Sequence, residues 1–213
     1  MKIGIMGGTF DPIHNGHLAL ARCALTQFHL DKIWFLPNGK PPHKLGQDAD
    51  IRLTHRLKMI ELAISGEPDF ELCTYEAKRK DVSYSYDTME TFQKYWPEHT
   101  FYFIVGADSV LTLEQWKHPE RLAKTCTFLA ACRDDVNSEK MNIEIKRLEK
   151  LYQTKILMLE CLYFQFPQVK YVRNLQPEIW SMASFRNAFG IILKKNIYMK
   201  VIRNGSDSSY KTA

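Results

Sequence analysis

The stretch that decides the fold is K-I-G-I-M-G-G-T-F-D-P-I-H-N-G-H, residues 2–17. It begins with a short apolar run, Lys2–Met6, which is typical of a buried parallel strand. Gly7 and Gly8 end that run and allow the backbone to come close to a ligand. From His17 to Phe28, apolar residues recur at helical spacing. The stretch therefore predicts a strand, a glycine-containing loop and the start of a helix.

The start of that helix is a predicted anion site. His14 and His17 lie on either side of Asn15-Gly16. A helix N-terminus offers unpaired N–H groups and the positive end of the helix dipole. Two imidazoles at this point can bind phosphate oxygens and stabilise the charge that develops during phosphoryl transfer. A single histidine or a Gly-Gly pair is usually structural, but the complete string Gly7–His17 favours the functional interpretation.

The rest of the chain alternates strands with helices. Further strands are predicted at Lys32–Leu36, Phe70–Cys73, Thr100–Val105, Cys126–Ala131 and Lys155–Leu159. Further helices are predicted at Arg52–Ile64, Asp87–Tyr95, Pro119–Lys124 and Ser138–Leu151. Such alternation predicts right-handed βαβ units and an α/β fold, a Rossmann-like doubly wound parallel sheet. Ligands bind such sheets at the carboxyl ends of the strands, where the strand order reverses.

Composition limits the class of protein. A chain of 213 residues with 45% hydrophobic content fits one compact domain. No apolar run approaches the ~18 residues of a membrane span, and the N-terminus runs straight into a strand. We therefore expect a cytoplasmic protein with no membrane partner. No pair among the five cysteines has metal-ligand spacing, so no metal site built by the protein is expected.

The charge is unevenly distributed. Residues 1–135 carry 16 Lys/Arg and 18 Asp/Glu, whereas residues 136–213 carry 13 and 6. A basic C-terminal third suits nucleic acid, phosphate-rich small substrates or a solvated face equally well. No nucleic-acid-binding fold motif accompanies it, so we predict no nucleic-acid partner. The sequence does not decide the oligomeric state, and a homo-oligomer is compatible with it.

The string Gly7–His17 resembles the H-x-G-H region of the nucleotidyltransferase superfamily, and its form is closest to the bacterial nicotinate mononucleotide adenylyltransferases. The resemblance implies that the phosphate of nicotinate mononucleotide attacks the α-phosphate of ATP in line. Deamido-NAD would form for NAD biosynthesis, pyrophosphate would leave, and Mg²⁺ would accompany ATP as the cofactor. It also implies that His14 and His17 are catalytic. The ATP phosphates would further contact four loop residues: Gly7, Gly8, Thr9 and Phe10.

Several segments extend the resemblance on the pyridine nucleotide side. In L-P-N-G-K-P-P-H-K, residues 36–44, His43 and Lys44 match residues that face the substrate phosphate. The segment D-V-S-Y-S-Y-D-T-M, residues 81–89, is similar to the one that recognises the nicotinate ring. Its candidate residues are Tyr84, Ser85 and Thr88. Trp116 matches a tryptophan that stacks on the pyridine, although a lone tryptophan is more often a core residue.

On the ATP side, the resemblance points to the loop I-V-G-A-D-S-V, residues 104–110. There Gly106 would permit close approach and Asp108 would accept hydrogen bonds from the adenosine ribose. Arg133 matches an arginine near ATP. Its usual Pro-Gly neighbours are replaced here by Asp134-Asp135.

The resemblance covers residues 1–169 and predicts a nucleotidyltransferase domain there, followed by a divergent segment over residues 170–213. After residue 169 the family has I-S-x-T-x-I-R, which binds the triphosphate. This chain reads K-Y-V-R-N-L-Q-P-E-I-W-S-M-A-S-F-R instead, and residues 170–213 contain eight basic and two acidic side chains. Two interpretations stay open: a divergent tail that contacts phosphate differently, or an out-of-frame reading of the gene.

Three functions remain for comparison. The first is adenylyl transfer to nicotinate mononucleotide. The second is a catalytically weak nucleotide-binding homologue without the C-terminal triphosphate motif. The third is a sibling transferase acting on phosphopantetheine or on a sugar or polyol phosphate. Residues 84–88 and Trp116 argue against the third, because aromatic stacking suits a flat pyridine.

Overall fold

The structure is a computed structural model that describes residues 1–39, 48–79, 81–131 and 138–160. At residues 48–52, 138 and 140 only the backbone is described. Three predicted site residues lie outside these ranges: His43, Lys44 and Arg133. The predicted segment 170–213 lies outside them as well, so the boundary at residue 169 stays a prediction.

Six strands alternate with helices along the described chain. The strands are β1 (Lys2–Gly8), β2 (Lys32–Pro37), β3 (Phe70–Leu72), β4 (Thr100–Gly106), β5 (Thr127–Ala131) and β6 (Ile156–Leu159). The helices are α1 (Asn15–Gln27), α2 (Asp48–Ile64), α3 (Ser85–Tyr95), α4 (Ala107–Leu111), α5 (Pro119–Leu122) and α6 (Ser138–Tyr152), with a 3-10 turn at Leu113–Gln115. Each predicted strand and helix is confirmed. The sequence patterns missed α4 and the 3-10 turn.

The six strands form one parallel sheet in the order β3-β2-β1-β4-β5-β6. The predicted doubly wound sheet is therefore confirmed. The strand β1 pairs with β2 on one side and with β4 on the other. This is the point at which the strand order reverses, so the carboxyl ends of β1 and β4 flank the crevice where such sheets bind ligands.

The core consists of apolar side chains from the central strands and the helices that cover them. Ile5, Phe101 and Phe128 on the strands and Met89 and Phe92 on α3 are all buried. Burying one such side chain contributes about 1.5–3 kcal/mol. The central strands are thereby held firmly, and their carboxyl ends provide a rigid support for loops. Among the described helices, none has the length and apolar character needed to cross a bilayer.

Gly39 lies directly after β2, where the chain passes against the loop that follows β3. A Cβ atom at Gly39 would lie 2.4 Å from the backbone oxygen of Glu76. That distance is too short for any carbon, and a backbone oxygen cannot move aside as a flexible side chain can. The contact requires glycine for steric reasons, because no described glycine has a positive φ.

We expect Gly39→Ala to lower the free energy of unfolding by about 1–3 kcal/mol, the usual cost of forcing extra atoms into a packed site. Gly66→Ala is the matched control, because a Cβ there would meet nothing within 4 Å. That control should be neutral or slightly stabilising, since alanine restricts the unfolded chain. Urea unfolding of both variants provides the measurement, and equal stabilities would contradict the close contact.

Candidate active site

Two histidines form the start of α1. His14 is the N-cap residue, with extended backbone angles of φ −144° and ψ 169°. Its backbone N–H donates to Nδ1 of His17 at 3.2 Å, and its carbonyl accepts the N–H of His17 at 2.9 Å. The two rings stack, with centroids 3.8 Å apart and planes 27° apart. The predicted pair is therefore brought together at the helix N-terminus that follows β1.

The hydrogen bond to Nδ1 determines the protonation of His17. Because Nδ1 accepts a backbone N–H, the neutral ring carries its proton on Nε2. Burial lowers the pKa of His17 to about 3, and the neighbouring His14 ring lowers it as well. At neutral pH, His17 is thus an uncharged ring whose hydrogen-bond donor is Nε2.

Phe10 supports the His17 ring from the core side. Its side chain is buried, and its ring meets His17 edge-on with centroids 5.1 Å apart. The ring of Phe35 also packs against Phe10, with centroids 5.8 Å apart. The backbone of Phe10 has φ 49°, a left-handed conformation that costs about 1–3 kcal/mol in a residue with a side chain. Because the side chain is buried, the expected phosphate contact of Phe10 is left to its backbone.

The loop after β1 is joined to the end of β2. The Asn38 amide donates to the Thr9 hydroxyl at 3.2 Å, and the Asn38 backbone N–H donates to the carbonyl of Gly8 at 3.0 Å. Arg56, on α2, donates to the carbonyls of Thr9 at 2.6 Å, Asn38 at 2.9 Å and Gly39 at 3.3 Å. These bonds hold the two loops as one unit, in which Thr9 lies at the end of β1.

The sequence analysis missed Arg56. The residue lies one helical turn before Ile60 and two turns before Ile64, both of which are buried on α2. The available signal was a charged residue on the apolar face of a predicted helix. Because buried charges require partners, such a residue indicates polar groups packed against that face.

The end of β4 forms the second wall of the crevice. Gly106 is the N-cap residue of α4 and is exposed, and a Cβ there would meet nothing within 4 Å. Gly7 is exposed at the end of β1, the neighbouring strand. Without side chains, the two glycines therefore leave space at the strand ends where the order of the sheet reverses. Asp108 is exposed in the first turn of α4, on the same side as the carboxyl end of β4.

The start of α3 contains the residues predicted to recognise the pyridine. Tyr84 is the N-cap residue and is 41% exposed, while Ser85 is the first residue of the helix and is half-buried. The Tyr84 side chain makes no capping hydrogen bond. The first-turn N–H groups of α3 are therefore not occupied by that side chain, and an anion is their natural ligand.

Thr88 lies in the first turn of α3 with its side chain directed to the core. The residue is fully buried, and its hydroxyl donates to Oε1 of Glu76 at 2.7 Å. Glu76 is itself buried, which raises the pKa of its carboxyl group. The Thr88 side chain thus supports α3 from the core side, while its predicted part in pyridine recognition stays a prediction.

Trp116 follows the 3-10 turn and is half-buried. Its ring meets Phe103 of β4 edge-on, with centroids 6.2 Å apart. Two residues later, the His118 ring meets Tyr86 in the first turn of α3 edge-on at 4.9 Å. The guanidinium of Arg121 stacks on the Tyr86 ring, 4.4 Å from its centre. The segment that contains Trp116 therefore lies against the start of α3.

A separate cavity of about 470 Å³ lies at the amino ends of β4 and β5. Its lining includes Thr100, Thr127 and Lys155, and it includes none of the residues predicted for the site. The cavity is at the opposite edge of the sheet from the loops that bind ligands in this fold. In the described part of the chain, no group of three or more His, Cys, Asp and Glu side chains could hold a metal ion.

A parallel sheet of this order, with a histidine-bearing helix start where the strand order reverses, fits a nucleotidyltransferase, and the comparisons with known proteins show that class. Residues 5–186 match the family model described as cytidylyltransferase-like. A protein from Thermoanaerobacter sp. strain X514, named "Probable nicotinate-nucleotide adenylyltransferase", is 43% identical over 153 residues, 71% of this chain and 72% of that protein. The chain belongs to the cytidylyltransferase-like family and, within it, to the nicotinate-nucleotide adenylyltransferases.

Two further comparisons agree. A protein of the same name from Lachnoclostridium phytofermentans is 43% identical over 158 residues, 74% of this chain and 78% of that protein. The solved structure of Plasmodium falciparum nicotinic acid mononucleotide adenylyltransferase complexed with NaAD has a TM-score of 0.58 and 18% sequence identity. The structural match covers 93% of this chain and 97% of the Plasmodium chain. At that identity, the structural match supports the fold alone.

The depressed pKa of His17 predicts a pH dependence of stability. The unfolded chain protonates this ring near its ordinary pKa of 6.5, whereas the folded protein keeps it neutral down to about 3. Between those values the unfolded state binds the extra proton, so the His17 contribution to the free energy of unfolding decreases as the pH falls. Its slope is at most about 1.4 kcal/mol per pH unit.

His17→Asn tests this dependence. Asparagine retains an oxygen that can accept the His14 N–H but removes the titrating ring. The stability of the variant should therefore fall less than that of the wild type when urea unfolding is repeated from about pH 7 down to about pH 4. Parallel stability curves for the two proteins would mean that the ring is not held neutral.

Glu76→Gln is expected to have the opposite pH dependence. Because the pKa of Glu76 is raised in the folded protein, its contribution to the free energy of unfolding is full below the ordinary pKa of 4.5 and is lost as the pH rises through the folded pKa. Glutamine keeps an acceptor for Thr88 and cannot ionise. The variant should thus gain stability relative to the wild type as the pH is raised from about 4.5. Glu61→Gln, at an exposed position on α2, is the control and should show no such gain.

Proposed function

We propose that this protein transfers the adenylyl group of ATP to nicotinate mononucleotide, giving deamido-NAD and pyrophosphate in NAD biosynthesis. The observation that carries the proposal is the stacked His14–His17 pair at the start of α1, with His17 neutral and protonated on Nε2. Support comes from relatives named nicotinate-nucleotide adenylyltransferase at 43% identity.

In this reaction, a phosphate oxygen of the mononucleotide forms a bond to the α-phosphorus of ATP, and the bond from that phosphorus to the bridging oxygen breaks. Pyrophosphate leaves on the opposite side. The Nε2–H of His17 donates to an oxygen of the α-phosphate, where charge accumulates as the transition state forms. His14 and the N-terminus of α1 face the same phosphates. No residue needs to form a covalent intermediate.

The adenosine occupies the crevice at the end of β4 in this proposal. Gly106 leaves room for close approach, and the carboxylate of Asp108 accepts hydrogen bonds from the ribose hydroxyls. On the β1 side, the backbone of residues 7–10 follows the phosphates, with Thr9 held by Asn38. ATP enters as its Mg²⁺ complex, so the ion arrives with the substrate.

The pyridine ring lies at the start of α3. Its carboxylate is an anion, and the first-turn N–H groups after Tyr84 attract anions more strongly than they attract a neutral amide. We therefore propose nicotinate over nicotinamide as the ring, with Ser85 beside it and Trp116 stacking on it. Thr88 and Glu76 hold the helix start from the core side.

Three basic residues complete the proposal. His43 and Lys44 would meet the mononucleotide phosphate, and Arg133 would lie near ATP; all three are outside the described residues. We place the reaction in the cytoplasm, with no nucleic-acid partner, and leave the homo-oligomer as an open prediction. The alternative, a weak nucleotide-binding homologue, rests only on the altered segment 170–213.

Pyrophosphate release is the test. With ATP and Mg²⁺, the wild type should turn over nicotinate mononucleotide faster than nicotinamide mononucleotide. His17→Asn should lower kcat by about 10²–10³-fold, the usual loss for one transition-state donor. His99→Gln, at the opposite edge of the sheet, is the matched control and should retain activity. Binding of both substrates without any pyrophosphate release would favour the weak homologue.

A further inference from the structure

Arg56 is the one arginine or lysine that is buried among the residues whose side chains are described. The residue is 4% exposed and lies on α2, behind the loops that follow β1 and β2. Its guanidinium donates to the carbonyls of Thr9, Asn38 and Gly39 and to the side-chain oxygen of Asn38 at 3.2 Å. A buried guanidinium that donates to these loop oxygens is part of an internal hydrogen-bond network and not of a surface ion pair.

We propose that Arg56 is a positioning residue for adenylyl transfer, which holds the loops after β1 and β2 at a fixed separation so that both face the same phosphates. This inference rests on the proposed function. It goes beyond that function because it assigns a role in the reaction to a residue that touches neither substrate.

The contacts between Arg56 and His17 form a short series. Arg56 fixes the carbonyl of Thr9, which belongs to the peptide group immediately before Phe10. Phe10 has the left-handed backbone, and such a conformation persists only where the surroundings hold it in place. The Phe10 ring then packs edge-on against His17. A shift at Thr9 is therefore passed to the imidazole through a single intervening residue.

The guanidinium of Arg56 also binds the loop that follows β2. One terminal nitrogen, Nη1, bonds Thr9, while the other, Nη2, bonds the carbonyls of Asn38 and Gly39. Asn38 in turn donates to the Thr9 hydroxyl. Only a planar fork can bridge the two loops in this way, because a lysine ammonium presents its donors from a single point. Gly39 also leads directly into the segment that contains His43 and Lys44.

Arg56→Lys tests the proposal, because lysine keeps the positive charge and removes the planar fork. We expect kcat to fall by about 10–100-fold, because misplacement by about 1 Å is enough to cost that much. The KM values for ATP and for nicotinate mononucleotide should change much less, since Arg56 is buried and its hydrogen bonds go to loop oxygens. Asn38→Ala should show a smaller loss of the same kind. The double variant should lose less than the product of the two single losses, because the residues share one network.

Leu148→Ala is the control for a purely structural effect, because Leu148 is fully buried on α6 and far along the chain from both loops. It should lower Tm and leave kcat unchanged at temperatures well below Tm. If Arg56→Lys behaves in the same way, with a lower Tm and a normal kcat, the positioning role is wrong.

A measurement on the His17 ring does not depend on turnover. In ¹⁵N spectra of the wild type, Nδ1 of His17 should behave as an unprotonated acceptor and Nε2 as the protonated nitrogen. In Arg56→Lys the ring should sample both tautomers, or titrate near its ordinary pKa of 6.5. An unchanged His17 spectrum would overturn the inference. Absence of pyrophosphate release by the wild type would instead overturn the proposed function and leave this spectral test intact.

Discussion

The rest of the site depends on the parallel pairing of β1 with β2 on one side and β4 on the other. This pairing makes β1 the strand at which the sheet order reverses, so the loops that leave β1 and β4 diverge to opposite faces and a crevice opens between them. Gly7 and Gly106 lie at the two strand ends. The start of α1 consequently lies at the crevice, and the stacked histidines lie there with it.

The described part of the site is built mainly from neutral donors and helix starts. His17 is kept uncharged by burial, Thr9 is held by an amide, and the start of α3 offers backbone N–H groups. The resemblance assigns basic side chains to this site at three positions outside the described ranges: His43 and Lys44 toward the mononucleotide phosphate, and Arg133 near ATP. Electrostatic preorganisation comes from groups held in fixed orientations, and the described site contains two such features: the His17 ring and the loops joined by Arg56.

The sequence predicted the strands because each apolar run is bounded by glycine, proline or a polar turn, as Lys32–Leu36 is by Pro37. It predicted the histidine pair because all the relevant residues lie within one local string. It could not predict α4, because a helix of five residues has no periodicity to detect. The burial of Thr88 depends on Glu76, which lies in a different loop, and the role of Arg56 depends on carbonyls from two other loops. Such long-range polar contacts leave little trace in local patterns.

The hydrogen bond from the His14 backbone to Nδ1 of His17 serves two purposes with one contact. It caps the first turn of α1, and it fixes which nitrogen of the imidazole holds the proton. Helix ends are the places where a helix frays most readily. Opening of this one turn would break the contact that fixes the tautomer, so the stability of the helix end and the protonation pattern of the His17 ring are coupled.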